Sequence, residues 1–257
     1  MRTSVREHLR ASYADLLVRT GAVDRVRSGW NNNKAVVLLY HRVLDDKAIP
    51  ADIDPGIYVT RTAFERQLQY ISEHHEVLSL DSLLEWLNAE RTTYRPPCVL
   101  TFDDGWIDNY EVAFPLLRRY GIPATIFLIT DLVGTQDMVS WPQVHEMRAS
   151  AISFGSHTAT HPFLTRIGDN AVREELTRSK TRMEEELGEP CRWFCYPRGQ
   201  HDRRTLNIAR RLYDGAVGTV NGPVTRDCDP FRIHRIGIHQ DVSRTTNLFA
   251  CRLASLV

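Results

Sequence analysis

The sequence predicts an α/β protein with a mainly parallel sheet of about seven strands, closed or nearly closed into a barrel. Three observations carry this expectation. Short apolar runs, such as Val36-Val37-Leu38-Leu39 and Ile126-Phe127-Leu128-Ile129, read as buried strands. They alternate regularly with longer segments of helical periodicity. Polar residues of chemical interest fall where the runs end: His41, Asp103 and Asp104, His157 and His161, Tyr196 and Arg198, and His239. In parallel barrels the carboxyl-end rim of the strands is where sites are built. An open doubly wound sheet is the alternative, but no GxGxxG follows the first strand, so no dinucleotide site is expected.

Residues 1 to about 30 carry Val5, Leu9, Tyr13, Leu16 and Leu17 at helical spacing, interspersed with Arg2, Arg6, Arg10, Arg19, Arg25 and Arg27. This reads as a helix packed on its own domain with a solvated basic face. Peripheral contact with a membrane surface is the other use of such a helix. Trp30-Asn31-Asn32-Asn33 reads as a connector, which makes 1–33 an N-terminal helical extension and 34–257 the main domain. A strand is expected at 34–41, then a loop at 45–60 containing Pro50, Pro55 and Gly56; loops this long are often functional. Helices follow at 62–75 (Phe64, Leu68, Ile71) and 80–89 (Leu83, Leu84, Leu87). Arg95-Pro96-Pro97 breaks the pattern before a strand at 98–102.

The next helix, 109–120, turns Val112, Leu116 and Leu117 inward, with Pro115 as a kink and Gly121 as its C-cap. A strand at 123–129, a short helix at 141–147 and a short strand at 151–155 come next. The helix at 169–187 has Asp169 to cap it, Val172, Leu176 and Met183 on one face, and Gly188 to end it. A strand at 193–196 is halted by Pro197-Arg198-Gly199. A helix at 202–213, strands at 215–220 and 232–239, and a closing helix at 245–256 complete the chain.

Composition narrows the class. The 257 residues are 42% hydrophobic and 25% charged, ordinary for a globular protein with a substantial core. Lys+Arg and Asp+Glu are both 32, so the formal net charge is zero and nothing global suggests a nucleic-acid binder. Five cysteines, an odd number without a close CxxC pair, indicate neither a disulfide framework nor a cysteine zinc site, although Cys191 and Cys195 are near enough in sequence to meet. No apolar run is long enough to span a membrane. No signal-peptide apolar core is seen, and a cytoplasmic location is expected.

The stretch Thr101-Phe102-Asp103-Asp104-Gly105 organises the chain. Neighbouring side chains of a continuing strand point to opposite faces. Gly105 permits a sharp turn there, so the two carboxylates can converge on one pocket. Paired ionised groups at a strand end cost desolvation energy unless a cation or a proton compensates. The arrangement suits a metal, acid–base chemistry, or both; a solvated Asp-Asp-Gly turn is the bland alternative. His157 and His161 are spaced i, i+4, which on a helical turn puts both imidazoles on one face. Two histidines and one carboxylate with open positions form a typical catalytic metal arrangement. Hydroxyls of Ser156, Thr158 and Thr160 stand nearby to orient the ligands. For the histidines the alternative is a surface coincidence.

Thr101-Phe102-Asp103-Asp104-Gly105 and His157-Thr158-Ala159-Thr160-His161-Pro162 resemble the first two motifs of the polysaccharide deacetylase family, carbohydrate esterase family 4. Tyr196-Pro197-Arg198-Gly199 is similar to the third, and Val37-Leu38-Leu39-Tyr40-His41-Arg42 resembles the opening strand of the branch that includes exopolysaccharide deacetylases. The resemblance covers about residues 34–240. It implies a distorted (β/α)7-type barrel with mainly parallel strands, one divalent metal, and removal of acetyl groups from N-acetylglucosamine units of a glycan. Carried over by position, Asp104, His157 and His161 hold the metal and Asp103 is the general base. The third motif's oxyanion-binding backbone N–H falls on Arg198. Zn²⁺ fits the ligand set, and so do Co²⁺, Ni²⁺ and Fe²⁺.

The sequence departs from the family pattern in places. The Arg that commonly opens the third motif, in contact with the catalytic aspartate, is replaced by Cys195. Arg235, on the last strand, is placed to substitute from across the pocket. Ile236-Gly237-Ile238-His239 resembles the family's general-acid segment, which nominates His239, with His234 as competitor. The tryptophan-bearing fourth motif has no clear match. His41, Trp141 and Tyr196 are expected to line the sugar site, since aromatic faces pack well on apolar sugar surfaces. The expected activity is a metal-dependent N-deacetylase. The alternatives are a non-catalytic carbohydrate-binding protein on the same scaffold, motivated by the altered third motif, and a metal amidohydrolase acting on a non-polysaccharide amide.

Overall fold

The computed structural model of the chain describes residues 2–30 and 33–257. Asn31 and Asn32 of the expected connector, and the side chains of Arg2, Val5 and Arg6, lie outside the described residues. Two helices come first, α1 (Arg2–Arg19) and α2 (Ala22–Ser28). Then follow β1 (Lys34–Tyr40), β2 (Arg42–Leu44), β3 (Tyr58–Thr60), α3 (Arg61–His74), β4 (Glu76–Val77), α4 (Leu80–Leu87) and β5 (Pro97–Phe102). The middle of the chain holds α5 (Phe114–Tyr120), β6 (Ala124–Leu128), α6 (Trp141–Arg148), β7 (Ile152–Ser156), α7 (Asp169–Leu187), β8 (Trp193–Cys195) and α8 (Arg203–Leu212). It ends with β9 (Gly215–Val217), β10 (Val224–Thr225), β11 (Ile236–Gly237), α9 (Gln240–Ser243) and α10 (Thr246–Leu253).

The sheet runs β10-β1-β5-β6-β7-β8-β9, parallel throughout except for β10. Strand parity sorts its side chains. Val36, Leu38, Tyr40, Cys98, Leu100, Phe102 and Ile126 pack outward beneath the helices. Val37, Val99, Phe127, Cys195, Val217 and Ile233 meet inside the curl, where Leu83 and Trp86 of α4 join the same cluster. Caps start the helices where hydroxyl or carboxylate residues precede them. Thr60 accepts from Ala63 N–H at 3.2 Å, Ser79 from Ser82 N–H at 3.1 Å, and Asp202 from Thr205 N–H at 2.8 Å.

The expected strand at 232–239 is instead a crossing segment, and it closes the barrel. Ile233 bridges Val217 of β9 on one side. Ile236 and Gly237 then pair with Leu38 and Leu39 of β1 on the other. Its contact with each neighbour spans only one or two residues.

Other differences have local causes. The loop expected at 45–60 ends in β3, which pairs in parallel with β2. The helix expected at 109–120 begins as a π turn, Asn109–Ala113, before α5. Pro115 follows directly on that π turn, within a helical run that Ala113 and Phe114 continue, so the break expected there takes the form of a π-to-α junction. Asp169 does not cap α7; the cap position is Gly168, and the Asp169 carboxylate instead meets Arg204 at 3.1 Å. The five cysteines are all free. Helix α1 packs on α10 through Ala14, with Ala11, Leu17 and Val18 beside it. Leu9, Tyr13 and Leu16, from the expected inward set, lie 65%, 52% and 55% exposed on the opposite face.

Candidate functional site

Asp103 continues the inward parity of Val99 and Thr101 on β5, and its N–H donates to Tyr40 O at 2.9 Å. Its carboxylate is buried and held by a two-pronged ion pair. Arg235 Nη1 reaches Oδ1 and Nη2 reaches Oδ2, both at 2.7 Å. The Arg235 side chain is fully buried, so its other donors need partners: Nη1 also meets Thr101 Oγ1 at 3.0 Å, and Nε donates to Gly218 O at 2.7 Å. Burial alone raises the Asp103 pKa, but the Arg235 guanidinium outweighs it and holds the carboxyl well below the usual range. His157 and His41 pull it further in the same direction. Cys195 stands where the third motif lacks its arginine, with Sγ 3.4 Å from Asp103 Oδ2 and 3.2 Å from Arg235 Nη2. Burial pushes this thiol up, so it remains protonated. Asp103, His157 and Cys195 do cluster, but a protonated thiol and a carboxylate already forked by arginine make a poor cation site.

Asp104 escapes strand parity through its backbone. Its φ is 76° and that of Gly105 is 83°, both left-handed, and the chain turns at once. A Cβ on Gly105 would sit 2.6 Å from Leu128 Cδ2, so this turn requires glycine on both counts. The turn brings Asp104 Oδ1 to 3.5 Å from His157 Nε2 and 3.9 Å from His161 Nε2. Asp104 Oδ2 accepts from Trp106 Nε1 at 3.0 Å.

The two histidines reach this point from a loop after β7, not from a helical turn. Thr158 and His161 have φ of 69° and 61°, and the rings stand 4.8 Å apart centre to centre. His157 Nδ1 lies 2.8 Å from Cys195 O; a carbonyl only accepts, so Nδ1 carries the proton and Nε2 presents its lone pair. The Thr158 and Ser156 hydroxyls brace the loop backbone, accepting from His161 N–H at 2.9 Å and Thr158 N–H at 3.2 Å, rather than touching the rings. Burial, with His157 alongside, pushes His161 down to about 4, so its imidazole is neutral near pH 7.

These three residues fit a divalent cation. Donors about 2.0–2.2 Å from a shared tetrahedral ion lie about 3.3–3.6 Å from one another. The Asp104, His157 and His161 donor atoms gather within 4.8 Å, and Asp104 Oδ1 lies 3.5 and 3.9 Å from the two imidazole nitrogens, close to that spacing.

The remaining expected site residues divide. His41 is half-buried at the end of β1, and its carbonyl accepts from Asn109 Nδ2 at 2.8 Å. His239 lies two residues beyond the Leu39–Gly237 register pair, level with His41 on the same rim. Its Nδ1 is paired with Asp241. His234 falls between inward Ile233 and Arg235, its ring near Gly222, which turns it away from the barrel interior. Arg198 has φ 57°, and its exposed guanidinium rests 4.5 Å over Phe163. Gly199 and Gln200 give their N–H groups to Tyr196 O and Pro197 O, whereas Arg198 N–H has no acceptor among the described residues.

One aromatic expectation is corrected. Tyr196 is fully buried, stacked 4.6 Å from His201, and offers no open face to a sugar. Trp141 opens α6 and packs on the core beneath Arg182, 5.6 Å above its ring. The aromatic ring beside the cluster is Trp106, with the Arg42 guanidinium 4.5 Å over it. Arg42 is held by Asp108 at 2.7 Å, and Asp108 also accepts from Val43 N–H at 2.8 Å. A tryptophan directly after Asp-Asp-Gly was the signal for this residue.

A family model described as polysaccharide deacetylase matches residues 90–213. Among solved structures, the Streptococcus pyogenes deacetylase PplD, in complex with acetate, is 30% identical with a TM-score of 0.76, covering 84% of this chain and 96% of that one. IcaB from Ammonifex degensii is 26% identical with a TM-score of 0.75, covering 87% and 97%. The poly-beta-1,6-N-acetyl-D-glucosamine N-deacetylase of Staphylococcus epidermidis is 25% identical over 84% of this chain and 83% of its own length.

Proposed function

Because the chain belongs to the polysaccharide deacetylase family, we propose that it is a metal-dependent hydrolase removing acetyl groups from N-acetylglucosamine units of a polysaccharide or oligosaccharide. One observation carries this reading: a three-donor group and a separate, arginine-held carboxylate share one rim. Asp104, His157 and His161 are assigned to a divalent ion, with Zn²⁺ the best match to two imidazoles and a carboxylate, and Co²⁺, Ni²⁺ or Fe²⁺ as substitutes. Such an ion, when bound, supplies Lewis acidity that acidifies water and polarises a carbonyl.

Asp103 is assigned the proton. Arg235 occupies one lone pair on each of its oxygens and the Cys195 thiol approaches Oδ2 at 3.4 Å, which leaves Oδ1 with a lone pair to accept the proton. The depressed pKa makes Asp103 a weak base in driving force; what Arg235 supplies is a carboxylate ionised at every working pH and fixed in direction. Arg198 N–H is assigned the developing oxyanion. His239 is assigned the leaving amine: Asp241 engages Nδ1, which frees Nε2 to deliver a proton. His41 and Trp106 are assigned to the sugar.

Acetate release from N-acetylglucosamine oligomers tests the proposal. A chelator abolishes release and added Zn²⁺ or Co²⁺ restores it. Asp103→Asn loses about 10²–10⁴-fold in turnover while still binding metal, and His157→Ala loses both. Full activity in Asp103→Asn would remove the base assignment.

Cytoplasmic location and a peripheral membrane contact through α1 are part of the same proposal. The exposed Leu9, Tyr13 and Leu16, with Arg10 and Arg19 exposed on the same helix, support the contact with an anionic surface. Cell fractionation and flotation with anionic vesicles check both.

A further inference from the structure

We infer that Glu175, on α7, is a positioning residue for His157 and His161: its carboxylate is the post around which the chain between the two imidazoles is wound. Three donors from that loop converge on it. Ala159 N–H and Thr160 N–H reach Oε2 at 3.0 and 2.9 Å, and the Thr160 hydroxyl reaches Oε1 at 2.8 Å. Two successive amides aimed at one oxygen form an anion-binding concavity of backbone. The side chain is only 14% exposed, so these charge-assisted bonds are little screened by water.

The loop needs such a post. Its five residues form neither helix nor strand, and two of them, Thr158 and His161, hold left-handed backbone that costs free energy for residues other than glycine. Its carbonyls are tied from the other side, Thr158 O by Thr130 N–H at 3.2 Å and Ala159 O by Asp131 N–H at 3.1 Å. Arg178, one turn along α7, links the two sides by meeting Asp131 at 2.9 Å and lying 3.8 Å from Glu175. The next turn of α7 grips the strand end, where Ser179 Oγ meets Ser156 Oγ at 2.6 Å. Among the described contacts, Glu175 touches neither imidazole ring nor Asp104. It acts through the backbone that fixes the spacing of the two ligand nitrogens.

The inference rests on the metal reading of the site, and the test separates the two. Zn²⁺ dissociation constants are measured for the full chain by competition with a chromophoric chelator, beside far-UV circular dichroism and melting temperature of each metal-free protein. Glu175→Ala binds Zn²⁺ about 10–100-fold more weakly while still folded. Glu175→Gln, whose carbonyl still accepts both amides, recovers most of the affinity. Thr160→Val, which removes only the hydroxyl bond, weakens binding by roughly a few-fold.

A folded Glu175→Ala with wild-type affinity overturns the inference and leaves the metal reading standing. If Glu175→Ala does not fold, Thr160→Val decides: wild-type affinity there overturns the inference. Wild-type protein that takes up no Zn²⁺, Co²⁺ or Ni²⁺ removes the metal reading, and the inference with it.

Discussion

Asp103 and Asp104 sit side by side in sequence but in separate environments, and the separation follows from one backbone turn. Asp103 keeps strand parity and faces the buried Arg235; Asp104, at φ 76°, swings onto the rim beside two imidazoles. The fork from Arg235 predicts a pH signature. In the wild type, Asp103 stays ionised throughout the working range, so it gives the rate no acid limb above its ordinary value. Arg235→Lys loses the bidentate geometry, burial then raises the Asp103 pKa, and an acid limb moves up into the measurable range. Turnover at neutral pH drops by about 10–100-fold, less at higher pH. A uniform loss at all pH values would contradict the coupling. The identity of Asp103, Asp104, His157 and His161 as a chemical group was legible from residue type and position at strand ends. Arg235 was nominated from the cysteine standing at the third motif's arginine position, but its contact with Asp103 joins residues 132 positions apart, a distance no local pattern encodes.

At the scale of elements, strands and long helices followed from apolar runs and 3.6-residue periodicity, because those segments are buried on predictable faces. The misreadings sit where hydrogen bonding overrides pattern. The i, i+4 histidines looked like a helical turn, yet their loop is shaped by Glu175, the Thr158 and Ser156 hydroxyls, and left-handed residues. Tyr196 carried the right chemistry for sugar but lies in a packing position, since an aromatic ring is a core residue unless the fold leaves it room. The Asp-Asp-Gly turn makes a clear prediction. Gly105→Ala forces a Cβ into Leu128 at a left-handed φ, costing about 1–3 kcal/mol. It also displaces Asp104 from the imidazoles, so metal affinity falls along with melting temperature. A variant with lowered stability but unchanged metal affinity would show that the turn does not set the ligand position.

For the whole molecule, closure of the barrel was expected from strand number, but its means was not. The chain crosses from β9 to β1 through Ile233–Gly237, and that crossing delivers Arg235 to the interior. A two-contact segment has too little regular pairing to announce itself in sequence. Global stability has a readable pH term at the foot of α3. His75 is 2% exposed and pushed down to about 4 by burial. The unfolded chain, with an ordinary histidine value near 6.5, binds a proton that the folded chain refuses between those limits. Stability from this residue is therefore complete above about pH 6.5 and declines as pH falls toward 4, by up to about 3 kcal/mol. His75→Gln flattens that part of the urea-midpoint profile between pH 7.5 and 5; an unchanged slope would assign it to other groups. Everything at the rim turns on Asp104, His157 and His161 sharing one cation beside Asp103, and an anomalous difference map at the zinc edge, from crystals grown with Zn²⁺, tests that sharing. A shared site gives a single strong peak bonded to those three side chains at about 2.0–2.2 Å. A fully soaked crystal with no peak there, or with its zinc bound elsewhere, would contradict it.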